Sequence, residues 1–451
     1  DILKFNSGNR LFGGATFIGP DPDKQQADVS GAFFRLDNCE DVKIDDITIK
    51  NGFKGKGVWM TNSRNIEFNN FTIDGFSYGM WIGESNSGIG CQNIRINKPR
   101  ILNTKYWGIY IRCLEVTDDS KLTQDVKVTD AYFFNCNMAA FVCAEGHVRY
   151  VSLINPTFKW CNVNMHFETT TDYEVINPRD FETGKRPEHI QANEEYPYQN
   201  WSMYHAFTRN GKVIGGTLER TCYHYAADGG GSEDIQYIGT KAFDWVFEGG
   251  GNDADKVFFQ KYTLDNCTST GVLLYQLNGG ENYLRDFVLN NCTSLLGSRI
   301  NPGGGDGNLI SVYAPRTVNF KINDCKIYNS CIRITGFGHM IITKNNFLGG
   351  TNNTQSRFNG IDGSQLSGSI LEFSGNIFER AGGVVIGDSA FSIKNFSRVR
   401  VDNTMRTTCN YGYRFENNYR VEYGASYVLG WLLGAYVDTG STDFIKLYGS
   451  T

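Results

Sequence analysis

The sequence predicts an all-β chain wound as a parallel β-solenoid of about a dozen coils, each made of three short strands. Three observations carry this expectation. Short apolar runs bounded by Asn, Asp and Gly recur through the chain, and each is too short for a helix. Five of them, between Phe141 and Glu248, end in the charged residues Glu145, Glu168, Arg209, Asp228 and Glu248. Apart from one long insertion, these ends recur at roughly 19–23 residues, which is a repeat period. Finally, 51 Gly against 9 Pro indicates many tight turns and few rigid linkers.

Taken in order, residues 1–30 read as an entry strand around Thr16-Phe17-Ile18 followed by a polar loop. The repeat is plain from Gly31: Ala32 to Leu36, Val42-Lys43-Ile44 and Ile47-Thr48-Ile49 form one unit, and Val58-Trp59-Met60, Ile66-Glu67-Phe68 and Phe71-Thr72-Ile73 the next. Further coils start at Met80, Ile109, Phe141, Met165, His205, Tyr223, Trp245, Val272, Leu309, Ile332, Ile370 and Val384. Such a unit cannot bury its apolar face alone, whereas stacked units share one core. A β-propeller is the rival architecture, but its blades of about 40–45 residues and their Trp-Asp signature are not found. The solenoid is expected over 31–395, with an insertion at 173–204 forming a substrate wall beside Glu168. Residues 396–451 are expected to cap the solenoid or join subunits. The apolar stretch Tyr427 to Val437 is far too short to span a bilayer of about 30 Å, so it reads as core or interface.

A net charge of −5 over 451 residues argues against a nucleic-acid backbone as the main partner. The 12 cysteines favour buried, reduced thiols over disulfides, because Asn-Cys or Asp-Cys recurs at Cys39, Cys136, Cys267, Cys292 and Cys325. No Cys/His spacing fits zinc, and neither Asp21/Asp23 nor Asp253/Asp255 forms an EF-hand loop. Gly303 to Gly307 lacks the Lys-Ser/Thr of a phosphate loop and reads as a turn. No cofactor or metal is expected. Asp1 reads as a processing boundary, with no secretion signal after it.

The charged strand ends carry the chemistry. Parallel strands about 4.8 Å apart would stack them as a column along one wall. Glycosidases pair carboxyl groups about 5–5.5 Å apart for retention and about 6.5–9.5 Å apart for inversion. Adjacent coils match the first spacing and next-but-one coils the second, so Glu145, Glu168, Asp228 and Glu248 are the expected catalytic set, with Glu168 and Asp228 foremost. The alternative is that these acids are solvated turn charges. His166 and His224 should face outward beside the column, to orient sugar hydroxyls, act as a base or remain plain surface histidines. Tyr223, Trp245 and Trp201 are candidate sugar contacts, as are Trp81, Tyr106, Trp107, Tyr110 and Tyr225, alternation placing about half of such rings in the core. Arg112 and Arg209 could hold an acidic sugar.

Together these coils resemble a right-handed, single-stranded parallel β-helix of the pectate-lyase-like kind, and within it the bacteriophage tailspikes that depolymerise capsule or O-antigen. The resemblance covers roughly residues 10–395 and is one of architecture. It implies a homotrimer with a C-terminal cap, a hydrolase cutting bacterial capsular polysaccharide or O-antigen with paired Asp/Glu, and attachment to the phage virion through a preceding segment. It also implies folding in the host cytoplasm and action from the virion tail, with neither nucleic acid nor membrane insertion involved. The chain departs from polygalacturonases: Gly338-His339-Met340 and Ile332-Arg333-Ile334 are fragments of their motifs, and Asp45-Asp46 and Asp118-Asp119 lack companions. Two rivals remain open, a polysaccharide lyase acting next to a uronate and a non-catalytic β-helix adhesin.

Overall fold

The computed structural model describes residues 3–19, 31–51, 54–83, 88–114, 118–181, 201–226, 230–249, 259–270, 274–277, 284–295, 310–313, 318–328, 332–335, 338–348, 359–363, 368–381, 389–407, 410–424, 427–429, 434–438 and 444–447. Within these residues the chain is all-β, and its long sheets are built from parallel pairs, an arrangement compatible with a parallel β-helix. It divides into two compact units, Asp1–Tyr223 and His224–Thr451.

In the first unit the first seven rungs each contribute one strand to each of three sheets. Ala32–Asp37, Glu40–Asp45 and Thr48–Lys50 form one rung, and Lys56–Thr61, Arg64–Asn69 and Thr72–Asp74 the next. Successive rungs pair in register, so Phe34, Val58, Met80, Ile109, Phe141, Met165 and Met203 form one inward column. Each of these side chains is fully buried. Single rungs are too thin to enclose a core, and the stack supplies one.

Polar corners fix this register. Asp41, Asn65, Asn93, Asp125, Tyr150, Asp172 and Asn210 occupy the same position on seven successive rungs. All seven have left-handed backbone, with φ between 51° and 58°. Asn and Asp tolerate this conformation because their short polar side chains bond locally. Here the amides also bond between rungs: Asn65 Nδ2 donates to Asp41 at 2.9 Å, Asn93 to Asn65 at 2.8 Å and Asn210 to Asp172 at 2.9 Å. Tyr150 is the exception, an exposed aromatic residue at φ 53°.

The second unit carries a buried ladder. Register places Cys267, Cys292, Cys325, Asn345, Asn376 and Asn403 in one column. The Asn376 carboxamide oxygen accepts from Asn345 N at 3.0 Å and Asn345 Nδ2 at 2.9 Å, while its Nδ2 donates to Ile342 O at 2.8 Å. All ten described cysteines are buried.

Several sequence expectations change here. The entry region is a full rung of three strands, Leu3–Phe5, Arg10–Leu11 and Thr16–Ile18, rather than a single strand. The insertion is shorter than 173–204. Tyr173 lies in the strand Thr170–Ile176, and its buried hydroxyl meets His205 Nδ1 at 2.7 Å, in space left by Gly211. Trp201 to Ala206 is itself a strand, so described strands reach into both ends of the expected insertion, and 182–200 lies outside the described residues. Ile370–Ala381 does not open a coil on the first sheet. It pairs with His339–Thr343 and Arg398–Thr407, and the first-sheet strands there are Asn359–Asp362 and Ser389–Lys394. Parallel pairing also continues beyond 395, through Tyr411–Glu416 to Gly434–Asp438 and through Arg420–Tyr423 to Phe444–Leu447. The run Tyr427 to Val437 splits into the strands Tyr427–Leu429 and Gly434–Asp438. The coil start at Val384 and the turn at Gly303 to Gly307 lie outside the described residues, as do the acidic pairs Asp21/Asp23 and Asp253/Asp255.

Two substitutions test these ladders by urea unfolding. Tyr150→Asn should stabilise the chain by about 1 kcal/mol, because asparagine escapes much of the left-handed penalty that other side chains pay; a loss of stability would contradict the ladder. Asn376→Leu should destabilise by about 1–3 kcal/mol for each buried donor it orphans, and a neutral result would show that the amide column adds nothing.

Candidate functional site

The outer face of the first sheet, within the first unit, gathers aromatic and charged side chains. Alternation along a strand sends every second side chain outward, but one irregularity enlarges this face. An added methyl at Gly57 would lie 2.8 Å from Ile73 Cγ2, and at Gly79 it would lie 2.9 Å from Ile101 Cγ2, so these glycines point into the core. Gly108 does the same against Phe133. Because Val58, Met80 and Ile109 also point inward, the preceding residues Lys56, Tyr78 and Trp107 are turned outward.

Two outward columns result. The first runs Lys56, Tyr78, Trp107, Ala139, Val163, Trp201, and the second Arg35, Trp59, Trp81, Tyr110, Val142, His166, Tyr204. Tyr110, Ala139, Val142, Ala144 and Val163 form a buried apolar cluster, against which Trp81, Trp107, Trp201 and Tyr204 pack half-buried. Trp107 and Tyr110 lie 4.0 Å apart centre to centre, and Tyr78 stacks on Tyr106 at 5.2 Å. At the other end Trp201 stacks on Tyr223 at 4.3 Å with 4° between the planes, and His166 lies 4.5 Å from Tyr204. Tyr110 and Tyr223 are buried, while the flat, half-buried rings of Trp81, Trp107, Trp201 and Tyr204 offer large apolar area with fixed orientation.

Charge borders these rings. Arg112, half-buried, sits 5.4 Å from the Trp81 ring centre and pairs with Glu145 at 3.1 Å. His166 Nε2 meets Glu168 Oε2 at 3.1 Å, and this hydrogen bond holds the Glu168 carboxyl below its ordinary value despite burial, which opposes the shift. Glu145 and Glu168 end neighbouring strands but are not level. The register Cys143 opposite Phe167 puts Ala144 beside Glu168, and Glu145, at φ 58°, falls in the extra residues of that corner.

The remaining expected site residues separate from this face. Arg209 is not in the column: Phe207, at φ 54°, turns the chain, and Arg209 opens Arg209–Ile214 on the next sheet, opposite Thr171. His224 does not face outward; it is fully buried in the second unit, 3.1 Å from the Tyr237 hydroxyl and stacked on Phe247. Trp245 is fully buried there too, packed edge-on against Tyr237, so neither can touch a ligand outside. Glu248 ends a strand of the second unit opposite Leu277. Asp228 lies outside the described residues. Sequence reasoning passed over Trp59, Tyr78, Tyr204, Arg35 and Lys56. Trp59 was readable from its place between Val58 and Met60, while Tyr204 was assigned to the insertion.

No group of three or more His, Cys, Asp and Glu suited to a metal occurs among the described residues. No family model, curated protein or solved structure matches the chain.

The His166–Glu168 pair has a pH signature. A lowered carboxyl pKa contributes stability that is fully present above the ordinary value of 4.5 and disappears as pH falls through the folded value. The urea midpoints of wild type and Glu168→Gln should therefore differ at pH 7 and converge below pH 4.5. A gap that stays constant down to pH 3 would refute the coupling.

Proposed function

We propose that this chain is a tailspike-type depolymerase that binds bacterial surface polysaccharide, capsule or O-antigen, on the aromatic face and cleaves it beside Glu145 and Glu168. The observation that carries this reading is a pair of tryptophan and tyrosine groups, Trp59, Tyr78, Trp81, Trp107 and Tyr110 on three neighbouring rungs and Trp201, Tyr204 and Tyr223 further along, which flank an apolar cluster and are bordered by the Arg112–Glu145 and His166–Glu168 pairs. Sugar rings have apolar faces that stack on such rings, and their hydroxyls match the flanking charged groups. In hydrolysis Glu168, kept ionised by His166, serves as base or nucleophile. Glu145, on the adjacent strand and paired with Arg112, is the candidate second carboxyl group. A right-handed helix of about a dozen coils, trimeric assembly, a C-terminal cap and virion attachment belong to the same proposal.

One observation favours a second reading, elimination next to a uronate. His166 is held by Glu168 with Tyr204 against its ring, which is the arrangement of a base with its orienting carboxylate. Ultraviolet absorbance of unsaturated products separates a lyase from a hydrolase, and reducing-end release separates both from a pure adhesin. Glu168→Gln should lower cleavage of a susceptible capsule by about 10²–10⁴-fold while leaving polymer binding intact. Cleavage at the wild-type rate would remove Glu168 from the chemistry.

A further inference from the structure

Two indoles at one end of the aromatic face gather positive charge. The Arg35 guanidinium carbon lies 3.5 Å from the Trp59 ring centre, and Lys56 Nζ lies 4.2 Å from Trp59 and 4.8 Å from Trp81. In-register pairing sets Arg35, Trp59 and Trp81 side by side on successive rungs. Lys56 is almost wholly enclosed, with 6% exposure. Among the described residues the half-exposed carboxylate of Asp37 lies near this end, 3.9 Å from Arg35. Burial pushes the Arg35 guanidinium below its ordinary range, so its positive charge is only partly compensated.

Cation–π attraction accounts for the two cations on the rings, but a third donor needs a different explanation. The Trp59 indole Nε1 is buried and meets no acceptor among the described residues. A buried donor without a partner is destabilising, and such a group in a folded protein calls for a missing acceptor. Guanidinium, ammonium and indole N–H are all donors and none can accept. The group that would satisfy the indole N–H beside the Arg35 guanidinium is an anion with more than one oxygen, with the Lys56 ammonium adding to the positive field.

We propose that Arg35, Lys56 and the Trp59 Nε1–H form a subsite for an anionic substituent of the bound glycan, a carboxylate or a phosphate or sulfate ester, with Trp81 stacking on the sugar that carries it. This rests on the glycan reading above and narrows it to acidic polysaccharides. Arg112, on the far side of Trp81, extends the positive rim in the direction of Glu145.

The test uses the full chain and a panel of purified neutral and acidic capsular polysaccharides, with binding followed by tryptophan fluorescence. Each acidic polymer is also offered after carboxyl reduction, which turns the carboxylate into a primary alcohol, and after removal of its ester groups. Binding should be confined to acidic polymers and fall about tenfold or more when the anionic group is removed. The treatment that abolishes binding identifies carboxylate or ester. Trp59→Phe keeps an aromatic ring, though a smaller one, and loses the donor, and should weaken binding of the acidic polymer about tenfold. Lys56→Met, which keeps the apolar stem, and Arg35→Gln should act in the same direction. Equal binding of neutral and reduced polymers, or unchanged affinity in all three variants, would overturn the subsite and leave the glycan reading standing. Failure to bind any polymer would overturn both.

Discussion

In-register parallel stacking is the constraint on which the rest of this structure depends. Every rung must place the same backbone conformation above the same backbone conformation, and the left-handed corner from Asp41 to Asn210 shows how strictly that holds. Asparagine and aspartate satisfy the corner twice, by tolerating its positive φ and by bonding to the equivalent residue one rung away. Inside the second unit the same logic runs without solvent, from a thiol column into an asparagine column whose amides bond both backbone and neighbour. A buried amide that has all its partners fixes register more sharply than an apolar side chain, since a slipped pairing would leave it unsatisfied.

The candidate site is a by-product of that stacking. A strand cannot turn two consecutive residues inward without a local departure from alternation, and the glycines at 57, 79 and 108 make it possible by pointing inward where a larger residue would strike the core. Because the departure repeats on three neighbouring rungs, its effect is a column. Lys56, Tyr78 and Trp107 come to stand beside Trp59, Trp81 and Tyr110, and a double row of rings replaces a single one.

The same physics explains what was legible in the sequence. All-β character and parallel rungs were readable because each inward position repeats the same apolar chemistry, and most strand starts from Ala32 to Trp245 fall within a few residues of their expected places. Arg209 and His224 were misplaced for a shared reason. A one-residue ambiguity at a corner decides whether a side chain ends one sheet or opens the next, and inside a strand it decides between core and solvent. A charged or polar letter does not resolve that ambiguity, because a buried histidine bonded to two tyrosines looks the same in sequence as an exposed one. Outward aromatic residues were harder still, since alternation predicts only half of them and the glycine-directed departure hides the rest. Beyond Ile370 the longer strands carry second-sheet pairing where a new coil would be expected, which blurred the period.

The rungs also differ in length without disturbing the stack. Stacked partners stand 22 residues apart between Ser152 and Glu174 but 38 apart between Asp172 and Asn210, and both bonds form. The entropy of closing a loop rises only with the logarithm of its length, so the longer closure is dearer by about 0.5 kcal/mol. Extra sequence between rungs is thus almost thermodynamically silent, whereas a single change at a corner or ladder position is not. Such a scaffold can diversify its surface by lengthening its connections, at a rate of change its stacked positions could never tolerate.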